Sequence, residues 1–119
     1  MKEGDIVLTP IPQADGGTKN RPALVLRKTP PYGDLLVCGI RTQLRLAVPE
    51  FDEVIATTDA DFAQSALLAD SVIRLGFLAV VPLKSIPGSI GSVSTQRHER
   101  LLSRLSAYLA ANITKRENR

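Results

Sequence analysis

Apolar residues fall in short runs along most of the chain and in a helical stripe only near its end. Asp5 to Thr9 reads Asp-Ile-Val-Leu-Thr and is closed by Pro10 and Pro12, a first strand. Residues 13 to 20 combine adjacent glycines with turn-prone polar side chains, which predicts an exposed connection. A second strand is expected from Pro22 to Arg27, with Pro22 at its start because proline has no N–H to give to a ladder. Ala23 to Leu26 is apolar on both faces and so predicts a central, covered strand. Asp34 to Arg41 supplies a third run after the Thr29 to Gly33 turn. Further strands are expected at 52 to 57, 71 to 75, 78 to 82 and near 90 to 93, with one or two helical turns between Thr58 and Ala69. Many short strands at close spacing predict a small barrel or sandwich.

The one long helix is predicted over about 94 to 113. Leu101, Leu102, Leu105, Tyr108, Leu109 and Ile113 form a stripe at three- and four-residue steps behind an N-cap at Ser94 or Thr95. That stripe is expected to pack on the strands, and residues 114 to 119 are expected to form a frayed tail. Arg97 and Arg100 stand where the helix dipole disfavours positive charge, which helix stability alone does not account for. The fold class is therefore mainly β with a C-terminal helix, in a single domain over 1–119 with the strands spanning about 4 to 93.

With 119 residues, 44% hydrophobic and 23% charged, the composition excludes a disordered or collagen-like chain and leaves room for one domain. No apolar run reaches the length of a membrane span, and no signal peptide or anchor is expected. A single cysteine, Cys38, cannot close an internal bridge; a reducing, cytoplasmic setting fits, with Cys38 as a small core residue. The net charge of +3 is unevenly placed: residues 93 to 119 carry 6 Lys plus Arg against 2 acidic residues, and residues 1 to 92 carry 9 against 10. The strand region is thus not basic, and the charge gives no argument for a polyanion groove there.

His98 is the only histidine, which excludes a histidine acid-base pair. There is no Cys/His cluster, Asp59 and Asp61 are expected to cap a helix start, and no phosphate-binding Gly-rich loop is present, so no metal or cofactor is expected. What remains is a set of arginines at strand ends. Arg21 precedes one strand, Arg41 ends the next, and Arg74 lies within Ser-Val-Ile-Arg-Leu, where a charge in an apolar strand must face solvent, an ion-pair partner or an anionic ligand. Of the five aromatics, only Tyr32 and Phe51 fall in expected loops, where both are read as partial core plugs before base-stacking groups.

Several stretches in order resemble the MazF/PemK family of toxin endoribonucleases from bacterial type II toxin-antitoxin pairs. Gly4-Asp5-Ile6-Val7 with Pro10-Ile11-Pro12 is similar to the family's opening strand, and Lys19-Asn20-Arg21-Pro22-Ala23-Leu24-Val25-Leu26 to its basic loop, Arg-Pro and hydrophobic strand. Ile40-Arg41-Thr42-Gln43, Leu68 to Leu75 and Ile90 to Ser94 complete the match. The resemblance implies an SH3-like β-barrel, a homodimer with an RNA groove at its interface, an antitoxin partner, and metal-independent cleavage of single-stranded RNA. In that chemistry the ribose 2′-OH attacks the adjacent phosphate, giving 2′,3′-cyclic phosphate and 5′-OH ends. By position, Arg21, Thr42 and Arg74 match catalytic groups, with Arg74 in the place of a proton donor, and Lys19, Asn20, Arg41 and Gln43 fall in the expected RNA-binding segments. Arg41 replaces a hydroxyl residue often essential in the family, and Gly76 stands where some members carry an aspartate base. Two alternatives follow: a toxin-like module that binds RNA or antitoxin without turnover, or, less favoured for want of a tryptophan near the terminus, a gyrase poison of the related CcdB type.

Overall fold

The computed structural model describes residues 1–12 and 15–111. Six strands, β1 (Asp5–Pro12), β2 (Thr18–Thr29), β3 (Asp34–Arg41), β4 (Glu53–Ile55), β5 (Ser71–Val81) and β6 (Ser89–Ser92), form one antiparallel sheet in the order β4-β5-β3-β2-β1-β6. A one-turn helix α1 (Phe62–Ser65) follows β4, single 3-10 turns lie at Leu44–Leu46 and Leu83–Ser85, and a long helix α2 (Thr95–Ala110) follows β6. The expected helix boundary holds at its start, where the Ser94 hydroxyl accepts from the Arg97 N–H at 3.2 Å. The expected tail at 114 to 119 lies outside the described residues, as do Ile113 of the expected helix stripe and Gln13 and Ala14 of the first connection; the helix ends at Ala110, short of the expected 113.

The alternation of side chains along the strands gives the sheet two distinct faces. On one, Ile6, Leu24, Leu26, Cys38, Ile40, Ile55, Ile73 and Leu75 join Val93, Leu101 and Leu105 in the main core. On the other, Val7, Ala23, Val25, Leu35, Val37 and Ile86 form a smaller cluster. The sheet curls, because residues near both of its edges meet in the main core: Ile55 from β4, and Val93 just beyond β6. Gly91 allows the closure. A Cβ there would overlap the backbone carbonyl of Ser65, so only glycine lets β6 lie against α1.

Several expectations need correction. Pro22 is not at a strand start but lies within β2, opposite Leu8. Pairing with β3 begins only at Ala23, so on that side the missing N–H deprives no ladder. The separate strands at 71 to 75 and 78 to 82 are one strand, β5, with an irregularity: Cys38 pairs Leu78, yet the adjacent Gly39 pairs Arg74. Leu75 to Phe77 therefore bulge from the ladder, and the Leu75 N–H donates instead to the buried Asp52 carboxylate at 2.9 Å. The other oxygen of Asp52 accepts from the Val48 N–H at 2.9 Å, closing the loop before β4. Finally, the helix stripe packs only in part. Leu101 and Leu105 are buried, whereas Leu109 is 67% exposed and Tyr108, 65% exposed, meets the Phe51 ring at 5.0 Å between centroids. Phe51 thus packs at the core edge as expected, but Tyr32 is exposed and plugs nothing.

Arg97 explains its own awkward position in the helix. Its guanidinium, almost completely buried, donates to both oxygens of Asp61 (2.8 and 3.0 Å), to Asp59 (2.9 Å) and to Glu53 (2.9 Å). Arg100 and Arg104 reach Glu53 as well, at 2.6 and 3.2 Å. Asp59 and Asp61 are therefore not helix-capping residues: the Asp61 side chain makes no capping bond to α1, and instead accepts from Arg97 and from the Ser94 N–H. The ion cluster ties α2 to β4 and the turn after it, and an unfavourable dipole interaction of a few tenths of a kcal/mol is small beside it. Removing one partner of such a buried pair costs about 3–5 kcal/mol.

The hydrogen bonds from Arg97 outweigh burial and hold the Asp61 carboxyl at about 2, below its usual value. The stabilisation it provides is complete above the unfolded-state pKa near 4 and is lost as pH falls from there through about 2. Urea denaturation is expected to show stability falling by of order 2 kcal/mol across that window. Asp61→Asn is expected to be less stable than the parent at pH 7 and flatter below pH 4; parallel pH profiles for the two proteins would contradict this.

Candidate functional site

Cross-strand partners project from the same face of a sheet, so the register alone gathers the arginines. Thr9 lies opposite Arg21 between β1 and β2, Ala23 opposite Gly39 between β2 and β3, and Gly39 opposite Arg74 between β3 and β5. Arg21 is two residues from Ala23 and Arg41 two residues from Gly39, which puts Arg21, Arg41 and Arg74 on the face opposite α2. Arg21 does not precede a strand, as expected from the sequence, but lies inside β2; Arg41 ends β3 and Arg74 lies within β5.

The three guanidiniums share one electrostatic neighbourhood. Burial, followed by repulsion from Arg21 and Arg74, pushes the pKa of Arg41 down. The Arg41 guanidinium also donates to its neighbouring Ile40 carbonyl at 3.1 Å. Among the described residues, no carboxylate lies within ion-pair distance of Arg41 or Arg74, and the buried Nε of Arg74 has no hydrogen-bond partner. Two neighbouring cations, Arg41 and Arg74, without a carboxylate within ion-pair distance among the described residues suit an oxyanion, and arginine's planar fork matches phosphate oxygens two at a time.

Phe77, which sequence reasoning did not single out, forms the centre of this face. It projects from the β5 bulge, with the Arg41 Cζ 4.8 Å and the Arg74 Cζ 6.0 Å from the ring centroid. Its ring lies over Gly39, where a Cβ would come within 2.5 Å of the ring carbon Cδ2. Beside it runs an apolar groove of about 250 Å³, lined by Thr9, Ala23, Val37, Gly39, Phe77 and Leu78 among others. The buried Thr9 hydroxyl has no hydrogen-bond partner among the described residues. A glycine opposite an arginine in adjacent strands was the only available sequence signal, and it becomes a signal only when the register is known.

The remaining expected site residues are less closely placed. Lys19 and Asn20 are exposed on β2, opposite Ile11 and Pro10, and Thr42 and Gln43 are exposed just beyond the end of β3. Gly76 is exposed in the bulge. His98 lies on α2, where its Nε2 bonds the Leu26 carbonyl at 2.8 Å and so carries the hydrogen. Cys38 is buried in the main core, and desolvation, reinforced by the Asp52 charge, pushes its thiol up to about 12, as befits a packing residue. No helix among the described residues is long and apolar enough to cross a membrane.

Gly39→Ala is expected to destabilise the fold by about 1–3 kcal/mol, because the added methyl displaces the Phe77 ring. In a Phe77→Ala background the same substitution should cost less than half as much by urea denaturation. Equal costs in both backgrounds would mean that the ring does not occupy this position.

The family model described as PemK-like, MazF-like toxin of type II toxin-antitoxin system matches residues 2–109. Among solved structures, the chain is similar to the Mycobacterium tuberculosis toxin MazF-mt6, with a TM-score of 0.61 and 20% identity over 88% of this chain and 95% of that one. No curated protein sequence matches.

Proposed function

Because the chain belongs to the PemK-like, MazF-like toxin family of type II toxin-antitoxin systems, we propose that it is an endoribonuclease that cleaves single-stranded RNA at the arginine face of its sheet. The observation that carries the proposal is the convergence of Arg41 and Arg74 at an exposed aromatic ring, with Arg21, from a third strand, near enough to repel Arg41. The 2′-oxygen attacks the neighbouring phosphorus and loses its proton to solvent; the bond to the 5′-oxygen breaks, and that oxygen leaves with a proton from Arg74, which regains one from solvent. The products are a 2′,3′-cyclic phosphate and a 5′-OH. Arg21 and Arg74 neutralise the charge that builds on the phosphorane oxygens, and Thr42 donates a hydrogen bond to the same phosphate. Arg74 stands where the family places a proton donor to the leaving oxygen, while Lys19, Asn20 and Gln43 hold the flanking strand. One domain carries the whole activity, without a metal, in a cytoplasmic homodimer that a cognate antitoxin silences.

A second reading, a module that binds RNA or antitoxin without turnover, is favoured by one feature. Gly76 provides no carboxylate in the β5 bulge, and the charges of Glu53, Asp59 and Asp61 are engaged by arginines on the helix side.

Cleavage of single-stranded RNA in excess EDTA separates the two. The parent protein is expected to cleave, and Arg21→Ala and Arg74→Ala are each expected to cleave about 100-fold more slowly or worse while keeping the parent circular dichroism spectrum. Absence of cleavage by the pure parent, or equal rates for all three proteins, would overturn the enzymatic reading.

A further inference from the structure

Given an RNA substrate on the arginine face, we propose that Phe77 and Arg41 form a stacking platform for one nucleobase, with the Thr9 hydroxyl bonding that nucleotide's edge. The subsite depends on that substrate assignment.

Phe77 is 39% exposed in the centre of a sheet face whose neighbours, Ala23, Val37 and Gly39, are buried. Its ring packs on Gly39, and the Arg41 and Arg74 guanidiniums lie over it, so a base would meet π and cationic character together. Aromatic rings and guanidinium planes are the two groups on which proteins stack unpaired bases. The groove beside it, about 250 Å³, is below the roughly 300–1,000 Å³ of dedicated small-molecule sites, so it suits part of a larger ligand that continues beyond it.

The chemistry of the lining selects the occupant. An apolar protein segment would cover the ring but leave the like charges of Arg41 and Arg74 facing one another. A nucleotide presents a flat apolar face and an anion together, and its phosphate relieves the repulsion felt by Arg41. Thr9 adds an independent indication of a ligand. Its side chain lines the same groove, is 2% exposed, and its hydroxyl lacks a partner among the described residues. Leaving a buried hydroxyl unpaired is unfavourable, and a rotation about χ1 that turns it into the groove would let a base edge or ribose oxygen satisfy it.

The test uses the full chain and a set of non-cleavable, fully 2′-deoxy oligonucleotides, each carrying 2-aminopurine at one of several successive positions. With the parent protein, binding is expected to quench the fluorescence at one position. Phe77→Leu should abolish that quenching and weaken binding about 5- to 100-fold, while Phe77→Tyr retains both. Thr9→Val should keep the quenching but reduce the difference in affinity between bases at that position. Binding that Arg21→Ala weakens, but without quenching at any position, would overturn the platform and leave the RNA reading intact. A parent that binds neither these oligonucleotides nor uncleaved single-stranded RNA would overturn the RNA reading itself. If Phe77→Leu shifts the sedimentation coefficient toward a smaller species and leaves oligonucleotide affinity unchanged, the groove is covered by a second copy and the proposal fails.

Discussion

The buried guanidinium of Arg97 is the joint between the two halves of this architecture. It comes from the first turn of α2 and is held by Glu53 on β4 and by Asp59 and Asp61 in the turn beyond it. Its consequences reach the opposite face through a single pair of adjacent residues. Glu53 holds the helix, while Asp52 receives the Leu75 N–H that the β5 ladder cannot use. That bond stabilises the bulge that begins one residue beyond Arg74 and from which Phe77 projects. The helix anchor and the display of the candidate site thus share the same short segment of chain, and disturbing one side would be felt on the other. Burial raises the Glu53 pKa, but Arg100, Arg97 and Arg104 together outweigh it and the net shift is downward, so the anchor keeps its charge.

The two arginine clusters have opposite chemistry. On the helix side Arg97, Arg100 and Arg104 are matched by carboxylates within 2.6 to 3.2 Å. On the other side Arg41 and Arg74 face a phenyl ring and each other's charge. The helix cluster supplies half of the basic residues between 93 and 119, so the charge that raises the isoelectric point is largely consumed in holding the fold together. The cations available to a ligand come from the part of the chain with no net positive charge. Net charge and binding charge are separate properties here, and only the strand register distinguishes them.

Much of this was legible in the sequence where the physics is local. The central strand was marked by Ala23 to Leu26, buried on both faces, and the helix by its Ser94 cap and the Leu101 and Leu105 spacing. What stayed hidden depends on contacts between residues far apart in the chain. Arg97 looked unfavourable because only the dipole of its own helix was visible; its partners lie 36 to 44 residues away. Pro22 lies inside β2 because its missing N–H falls where β3 does not pair, and the sequence does not tell on which side a neighbour is absent. Arg21 and Arg74 were identifiable from their flanking motifs, but Phe77 and Thr9 were not, since a bulge of three residues decides which ring reaches Gly39. The family resemblance supplied the order of the motifs, and the register supplied the reason they converge.

The central claim is that the arginine face directs a ribose hydroxyl at its own phosphate. The end groups of the product test it most directly. RNA cut by the purified protein should carry a 2′,3′-cyclic phosphate on one fragment and a 5′-OH on the other by mass spectrometry, and a single 2′-deoxy substitution at the nucleotide preceding the cut should abolish cleavage there. Fragments bearing 5′-phosphate and 3′-OH, or undiminished cleavage after the 2′-deoxy nucleotide, would contradict the account.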